Sequence, residues 1–255
     1  MSRIHEIFSK TNNELQAEAV AKELPEEKET VVNLPGLLID SSPNCYSEFQ
    51  CLYRNLTILG GGKVCTVMVC GAEEGEGTTT VAMNLAALMA REEEVPTLLV
   101  EANCSSPTLF RHDGGHPKEG LYELLMEQGP LQNYVAQTSI PRLLVMEAGR
   151  PTGGTKGAFT SSKIENAIAE CKSQYPIIVF DAAPVNTNTE SLELAKHVDG
   201  VVIVVKSEAL LESVQHTKEA LERVRARILG VVFNRQKMNG NSKPKNADFS
   251  APGNI

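Results

Sequence analysis

The chain has 255 residues, a formal net charge of −8 and 42% hydrophobic residues, which fits one globular domain with tails and excludes a fibre. No stretch approaches the roughly 18 apolar residues of a membrane span, and the N-terminus lacks a signal-peptide pattern. We therefore expect a cytoplasmic protein, and the acidic balance argues against a nucleic-acid partner.

The two ends of the chain differ from its middle. Residues 1–20 place apolar side chains at helical spacing, which predicts an amphipathic helix. Residues 21–44 are acidic and contain Pro25, Pro35 and Pro43, a composition typical of a linker. Residues 238–255 are rich in Asn, Ser, Lys, Pro and Gly without periodicity, so we expect disorder. Residues 45–237 remain for the folded domain.

Within this domain, apolar runs alternate with helical patterns. The β-α order predicts a three-layer α/β domain with a mostly parallel sheet and helices on both faces, where ligands bind beyond the carboxyl ends of the strands. The last helix places six apolar residues, from Leu210 to Ile228, on one stripe, and the acidic run 92–94 is predicted to be a solvated helix end. The predicted strands are Val64–Cys70, Thr97–Glu101, Leu143–Glu147, Ile177–Asp181, Val201–Val205 and Leu229–Asn234; the predicted helices are Thr79–Arg91, Ser161–Ser173, Thr189–His197 and Glu208–Arg227.

A glycine-rich loop follows the first predicted strand and precedes a helix. Residues 71–80 read Gly-Ala-Glu-Glu-Gly-Glu-Gly-Thr-Thr-Thr, in the position of a phosphate-binding loop. In such a loop, backbone N–H groups point at phosphate oxygens, a lysine reaches the β- and γ-phosphates, and a Ser or Thr hydroxyl binds Mg²⁺. Here Thr78 stands where the lysine is expected. Taken alone, the loop is also consistent with a tight turn that holds no ligand.

Several segments of the chain resemble the bacterial tyrosine kinases of capsule and exopolysaccharide synthesis, within the larger group of MinD/ParA-type P-loop ATPases. Residues 75–80 with Asn84-Leu-Ala resemble the family's P-G-E-G-K-S-T…N-L-A, and residues 97–107 resemble its second acidic motif, L-L-I-D-A-D-x-R-x-P. Residues 175–184 resemble its Walker B segment, with Asp181 kept. Residues 198–206 and 230–235 match its later strands, and the likeness covers roughly residues 45–237.

The resemblance implies a nucleotide site with ATP or ADP and Mg²⁺ as cofactors. Thr79 and Asp181 would hold the Mg²⁺ if a nucleotide binds, whereas the alternative for Asp181 is an inherited residue that caps the next loop. Asn234 lies near the base in this family, although a turn role is equally open for it. Asp181 and Glu101 stand at the positions of catalytic carboxylates. The residues expected around the nucleotide are Gly75, Glu76, Gly77, Thr78, Thr79, Thr80 and Asn234.

The chain departs from the family pattern at its chemical positions. Thr78 replaces the loop lysine, and Glu101 and Asn103 replace the two aspartates of the second acidic motif. The family's C-terminal tyrosine cluster is absent, because the last tyrosine is Tyr175. Loss of the nearest cation is expected to slow phosphoryl transfer by about 10³-fold or more. We therefore expect a degenerate member, in which Asp181 and Glu101 are vestigial and nucleotide binding is weak or absent.

Residues 47–56 resemble the motif that joins subunits of the family into rings. Its glutamate and two arginines are Ser47, Gln50 and Tyr53 here, whereas apolar positions such as Leu52 and Leu56 are kept. Because charge-assisted contacts of this kind need every partner, we expect a monomer or a small oligomer.

Three functions follow from the resemblance. The leading hypothesis is a regulatory or binding partner of a membrane-bound polysaccharide chain-length or export component, which recruits the chain to the inner membrane, with the helix at 1–20 as the docking element. The second is an active ATP-dependent protein-tyrosine kinase or ATPase of the same pathway. The third, a MinD/ParA-like positioning ATPase, is disfavoured because no lysine begins the loop at Gly71 and Ala72 and no basic amphipathic helix ends the chain.

Overall fold

The structure, a computed structural model, describes residues 32–34, 37–61, 65–109, 119–127, 129–151, 154–155, 157–206 and 209–234. The predicted helix at 1–20, the first part of the predicted linker and the predicted disordered tail at 238–255 lie outside these residues. No helix in the described ranges is long and apolar enough to cross a membrane.

Seven strands form one sheet in the order β3-β4-β2-β5-β1-β6-β7. All neighbouring strands are parallel except β3, which runs antiparallel to β4. The central strands are buried on both faces, because their side chains are almost all apolar. The strands are β1 (Thr66–Gly71), β2 (Thr97–Glu101), β3 (Val135–Gln137), β4 (Leu143–Met146), β5 (Ile177–Asp181), β6 (Gly200–Lys206) and β7 (Ile228–Asn234).

Helices cover both faces of this sheet, which confirms the predicted three-layer α/β fold. Two apolar clusters result, one under α1 and α2 and the other under α4 and α6, and alternate residues of each strand enter opposite clusters. The helices are α1 (Pro43–Leu59), α2 (Thr78–Glu93), α3 (Leu121–Glu127), α4 (Ser161–Gln174), α5 (Thr189–Ala195) and α6 (Leu211–Arg223), with short 3₁₀ turns at Leu38–Asp40 and Leu131–Asn133.

The predicted elements are present with small shifts at their ends, but two short ones were not predicted. Both β3 and α3 contain too few residues to show a clear periodic pattern. The predicted stripe of the last helix is wrong at both ends. Leu210 and Leu211 are 68% and 81% exposed, and Ile228 belongs to β7.

The described part of the predicted linker packs on the domain instead of separating from it. Val32 and Ile39 are buried, and the backbone N–H of Val32 donates to the carbonyl oxygen of Gln137 in β3. The backbone N–H of Ile39 donates to Asn84 Oδ1 in α2. The folded domain therefore begins before residue 45, because the apolar side chains between the prolines find buried positions.

The acidic end of α2 is exposed at Glu92 and Glu94, as predicted, and it is also bonded to α1. The hydroxyl of Tyr46 and the amide of Gln50 both donate to Glu92, and the hydroxyl of Tyr53 donates to Glu93. Two of the three positions that differ from the ring motif, Gln50 and Tyr53, are thus used inside the chain.

Candidate functional site: a glycine-rich loop and a buried aspartate

A cavity of about 420 Å³ lies at the carboxyl edge of the sheet, between the loop after β1 and the segment after β2. Six of the predicted site residues line it, whereas Glu76, Glu101 and Asn234 lie outside its lining. The six are Gly75, Gly77, Thr78, Thr79, Thr80 and Asp181.

The backbone of the loop has the conformation that a phosphate site needs. Gly75 and Gly77 have φ angles of +76° and +88°, a region that side chains with a Cβ rarely adopt. Gly77 is the N-cap of α2 and has no side chain to bond to the first N–H groups of that helix. Those N–H groups, with the positive end of the helix dipole, can therefore bind an anion.

Glu76 supports the loop from within. Its side chain is buried, and Oε2 accepts hydrogen bonds from the backbone N–H groups of Ala72, at 2.6 Å, and Glu73, at 3.0 Å. Its other oxygen, Oε1, is buried and has no hydrogen-bond partner among the described residues. In this structure Glu76 bonds to its own loop, and its predicted contact with a nucleotide stays a prediction.

Thr78 brings no charge to the position of the expected lysine. Its Oγ1 lies beside β1, since a Cβ built on Gly71 would be only 3.0 Å away. The described residues that line the cavity include no Lys or Arg, whereas Glu73, Glu74 and Asp181 carry carboxylates. A phosphate chain without a metal ion would meet net repulsion here.

Asp181 ends β5 at the floor of the cavity. It is buried, and Oδ2 has no hydrogen-bond partner within the described ranges. Burial raises the pKa of Asp181 to about 7, a hydrogen bond with Thr79 lowers it, and the nearby Glu101 raises it. An unpaired carboxylate oxygen beside a threonine hydroxyl is a fitting part of a Mg²⁺ site.

Mg²⁺ would need further ligands at this place. The described residues contain no group of three or more His, Cys, Asp or Glu that could hold a metal. Mg²⁺ commonly binds through one or two protein groups plus phosphate oxygens and water. Thr79 and Asp181 therefore fit a Mg²⁺ that arrives with a nucleotide, and they supply too few ligands for a resident metal.

Glu101 lies opposite Asp181 in the register of β2 with β5, but its carboxylate has a different role. Oε1 accepts hydrogen bonds from the backbone N–H groups of Thr108, at 2.5 Å, and Leu109, at 2.6 Å. Burial raises the pKa of Glu101, while its bonds to Leu109, Thr108 and Ala148 lower it. Glu101 thus holds the segment after β2 in place, and Thr108 Oγ1 of that segment lies 2.9 Å from Thr79 Oγ1.

Asn234 lies against the loop at the end of β7. Its Nδ2 donates to the carbonyl oxygen of Glu76 at 2.8 Å, and a Cβ on Gly77 would lie 2.1 Å from the same nitrogen. The structure therefore brings Asn234 to the site as a support of the loop, and its predicted contact with a base stays a prediction.

Lys206, the last residue of β6, is a neighbour of the site that sequence reasoning missed. Its Nζ lies 3.8 Å from Oε2 of Glu73, and Glu73 is one of the residues that line the cavity. The available signal was a cation directly after an apolar strand. The order of the strands was needed to place that strand beside β1.

Comparison with known proteins agrees with this geometry. No protein-family model matches the chain. The tyrosine-protein kinase YwqD of Bacillus subtilis (strain 168) is 28% identical over 180 residues, which cover 70% of this chain and 75% of YwqD. The chain is similar in sequence to bacterial tyrosine-protein kinases.

Solved structures support the same relationship for this kinase-like chain. The chimerical protein CapA2B2 superposes with a TM-score of 0.72 at 26% identity, covering 86% of this chain and 99% of CapA2B2. The kinase domain of the Escherichia coli tyrosine kinase ETK has a TM-score of 0.72 at 17% identity, with 89% and 91% coverage, and shows the shared fold. The predicted P-loop fold class is confirmed.

Proposed function

We propose that this kinase-like chain is a regulatory or binding partner in bacterial capsule or exopolysaccharide synthesis that binds Mg-nucleotide weakly and turns over little or no ATP. The observation that carries the proposal is a cavity with a complete glycine loop and a Thr79–Asp181 pair, but with no described Lys or Arg in its lining.

The backbone and side-chain groups that remain at the site support the binding of a Mg-nucleotide. The N-terminus of α2 offers backbone N–H groups to phosphate, and Thr79 and Asp181 offer oxygen ligands to Mg²⁺. When bound, Mg²⁺ would neutralise part of the phosphate charge that the acidic lining repels. Binding is therefore expected to require Mg²⁺.

The absence of the loop lysine supports weak turnover of ATP. Phosphoryl transfer depends on cations that stabilise charge on the transferred group, and loss of one such group costs about 10³-fold or more in rate. Glu101 does not compensate, because a carboxylate supplies no positive charge and its Oε1 is bonded to backbone N–H groups.

A membrane partner follows from the family resemblance. The proposed partner is a polysaccharide chain-length or export component at the inner membrane, which this cytoplasmic chain would contact through residues 1–20. The internal bonds of Gln50 and Tyr53 to α2 support a role without the ring contacts of an active kinase.

Isothermal calorimetry of the full chain with ADP and ATP, with and without Mg²⁺, tests the nucleotide part of the proposal. We expect weak binding that disappears without Mg²⁺, and no phosphate release above background. Micromolar or tighter ATP affinity with clear phosphate release would support the active kinase or ATPase instead.

A variant that restores the loop lysine tests whether its absence is the reason for weak nucleotide binding. Thr78→Lys is expected to tighten Mg-ATP binding, because it returns a positive charge to a loop whose glycine conformations are kept. Thr78→Val, which changes the side chain without adding charge, is the control. If the lysine variant binds no better than the valine variant, the loop does not present a phosphate site.

A further inference from the structure

We infer that Lys206 is the phosphate-binding cation of this site and contacts the phosphates that ADP and ATP share. The inference rests on the proposed nucleotide binding, and it assigns part of the role of the absent loop lysine to a different strand.

The sheet brings Lys206 to the level of the loop. In the register of β1 with β6, Gly71 lies beside Val204, so Lys206 extends two residues past the end of β1. At about 3.3 Å per residue, it stands beside the first turn of the loop.

Strand alternation places Lys206 on the appropriate face. Val202 and Val204 belong to the apolar cluster under α2, and Lys206 shares their side of β6. That is the face on which α2 begins, so the ammonium group and the N-terminus of α2 lie on the same side of the sheet.

The present contact of Lys206 is weak enough to be exchanged. Its Nζ lies 3.8 Å from Glu73 Oε2, beyond hydrogen-bond distance, and the two side chains are 34% and 42% exposed. An exposed pair of this kind contributes little to stability. A phosphate oxygen at the cavity rim can therefore replace the carboxylate of Glu73 at small cost.

The position of Lys206 in the sheet also indicates which phosphates of the nucleotide it would contact. In the sheet order, β6 lies on one side of β1, whereas Asp181 on β5 lies on the other. Lys206 is paired in register with Asn234 of β7, so it lies on the side of β1 away from Asp181. We therefore assign the ammonium group to the inner phosphates and place the terminal phosphate of ATP toward Asp181.

Calorimetric titration of the full chain with Mg-ADP and with Mg-ATP tests this assignment. Lys206→Ala is expected to weaken both by about tenfold, the effect of losing one charge-assisted hydrogen bond. Glu73→Gln is expected to tighten both, because it releases Lys206 and removes a negative charge. The matched controls are Lys218→Ala and Glu222→Gln, which break a similar pair at 3.6 Å on α6 and should change neither titration.

The outcomes separate this inference from the proposed function. If the wild type binds neither nucleotide, both are overturned. If the wild type binds and Lys206→Ala behaves like Lys218→Ala, only the role of Lys206 is overturned. If Lys206→Ala weakens the binding of Mg-ATP but not of Mg-ADP, the inference is also overturned, since Lys206 would then contact the terminal phosphate. If Glu73→Gln weakens nucleotide binding as well, the inference is overturned because the Lys206–Glu73 pair would only support the loop. Lys206→Arg keeps the charge and should retain binding, which would tie the alanine result to the positive charge of this side chain.

Discussion

The side-chain amide of Asn234 donates a 2.8 Å hydrogen bond to the carbonyl oxygen of Glu76. This bond joins the edge strand β7 to the loop before α2, across a separation of 158 residues. The same amide lies where a Cβ on Gly77 would stand. The shape of the loop therefore depends on a strand that the chain completes only at the end of the domain.

Gly77→Ala is expected to destabilise the domain more than Gly75→Ala. Both glycines have positive φ angles, so alanine adds strain of about 1–2 kcal/mol at either position. Gly77 adds a clash with Asn234, whereas nothing lies within 4 Å of a Cβ at Gly75. Free energies of unfolding from urea denaturation would show the difference, and Asn234→Ala should recover part of the loss in Gly77→Ala. Equal losses in the two glycine variants would contradict the proposed contact.

Asp181→Asn is expected to stabilise the nucleotide-free protein at pH 8 and to have much less effect near pH 4. Burial raises the pKa of Asp181 from 3.8 to about 7, so the folded state keeps a proton that the unfolded state has lost. Stability consequently falls as the pH rises from about 4 to about 7, and the penalty stays in force above pH 7. The expected gain is on the order of a few kcal/mol.

Thermal denaturation across this pH range would measure the effect of Asp181→Asn. The control is Glu165→Gln, on the exposed surface of α4, which should follow the wild type. Addition of Mg-ADP should stabilise the wild type more than Asp181→Asn. A constant difference between Asp181→Asn and wild type at all pH values would show that Asp181 does not titrate in this window.

Glu101→Asp is expected to cost about 1–3 kcal/mol of stability, because the shorter side chain loses its bonds to Thr108 and Leu109. Glu101→Gln keeps an acceptor oxygen and should cost less. Hydrogen exchange at the two backbone N–H groups, together with nucleotide titration, would separate support from chemistry. If Glu101→Gln loses nucleotide binding as fully as Asp181→Asn, Glu101 acts directly in the site.

The purified chain is expected to be a monomer or a small oligomer. Gln50 and Tyr53 bond to the end of α2 in their own chain, and Ser47 donates to carbonyl oxygens within α1, so we expect no charged contacts between subunits from these uncharged side chains. Light scattering after size exclusion, at low and high salt, measures the mass. A salt-resistant ring of about eight subunits would contradict this expectation and favour the active kinase.

The fold could be predicted because the signals that define it are local. Runs that are apolar on both faces, such as Thr97–Glu101 and Ile177–Asp181, indicate buried parallel strands, and the structure has both with the predicted bounds. The loop at 71–80 was likewise visible from its glycines and from the helix that follows. Elements without enough residues for a periodic pattern, such as β3, were missed.

The three-layer fold, the position of the glycine loop and the absence of its lysine could all be predicted from local sequence, because each depends on residues close together in the chain. The tertiary structure decided what surrounds that loop. The strand order brings Lys206 close to Glu73, and it brings Asn234 close to Glu76. The packing of the segment after β2 is what bonds Glu101 to backbone N–H groups. These contacts join residues on different strands and loops, and no local pattern records which strands become neighbours in the sheet.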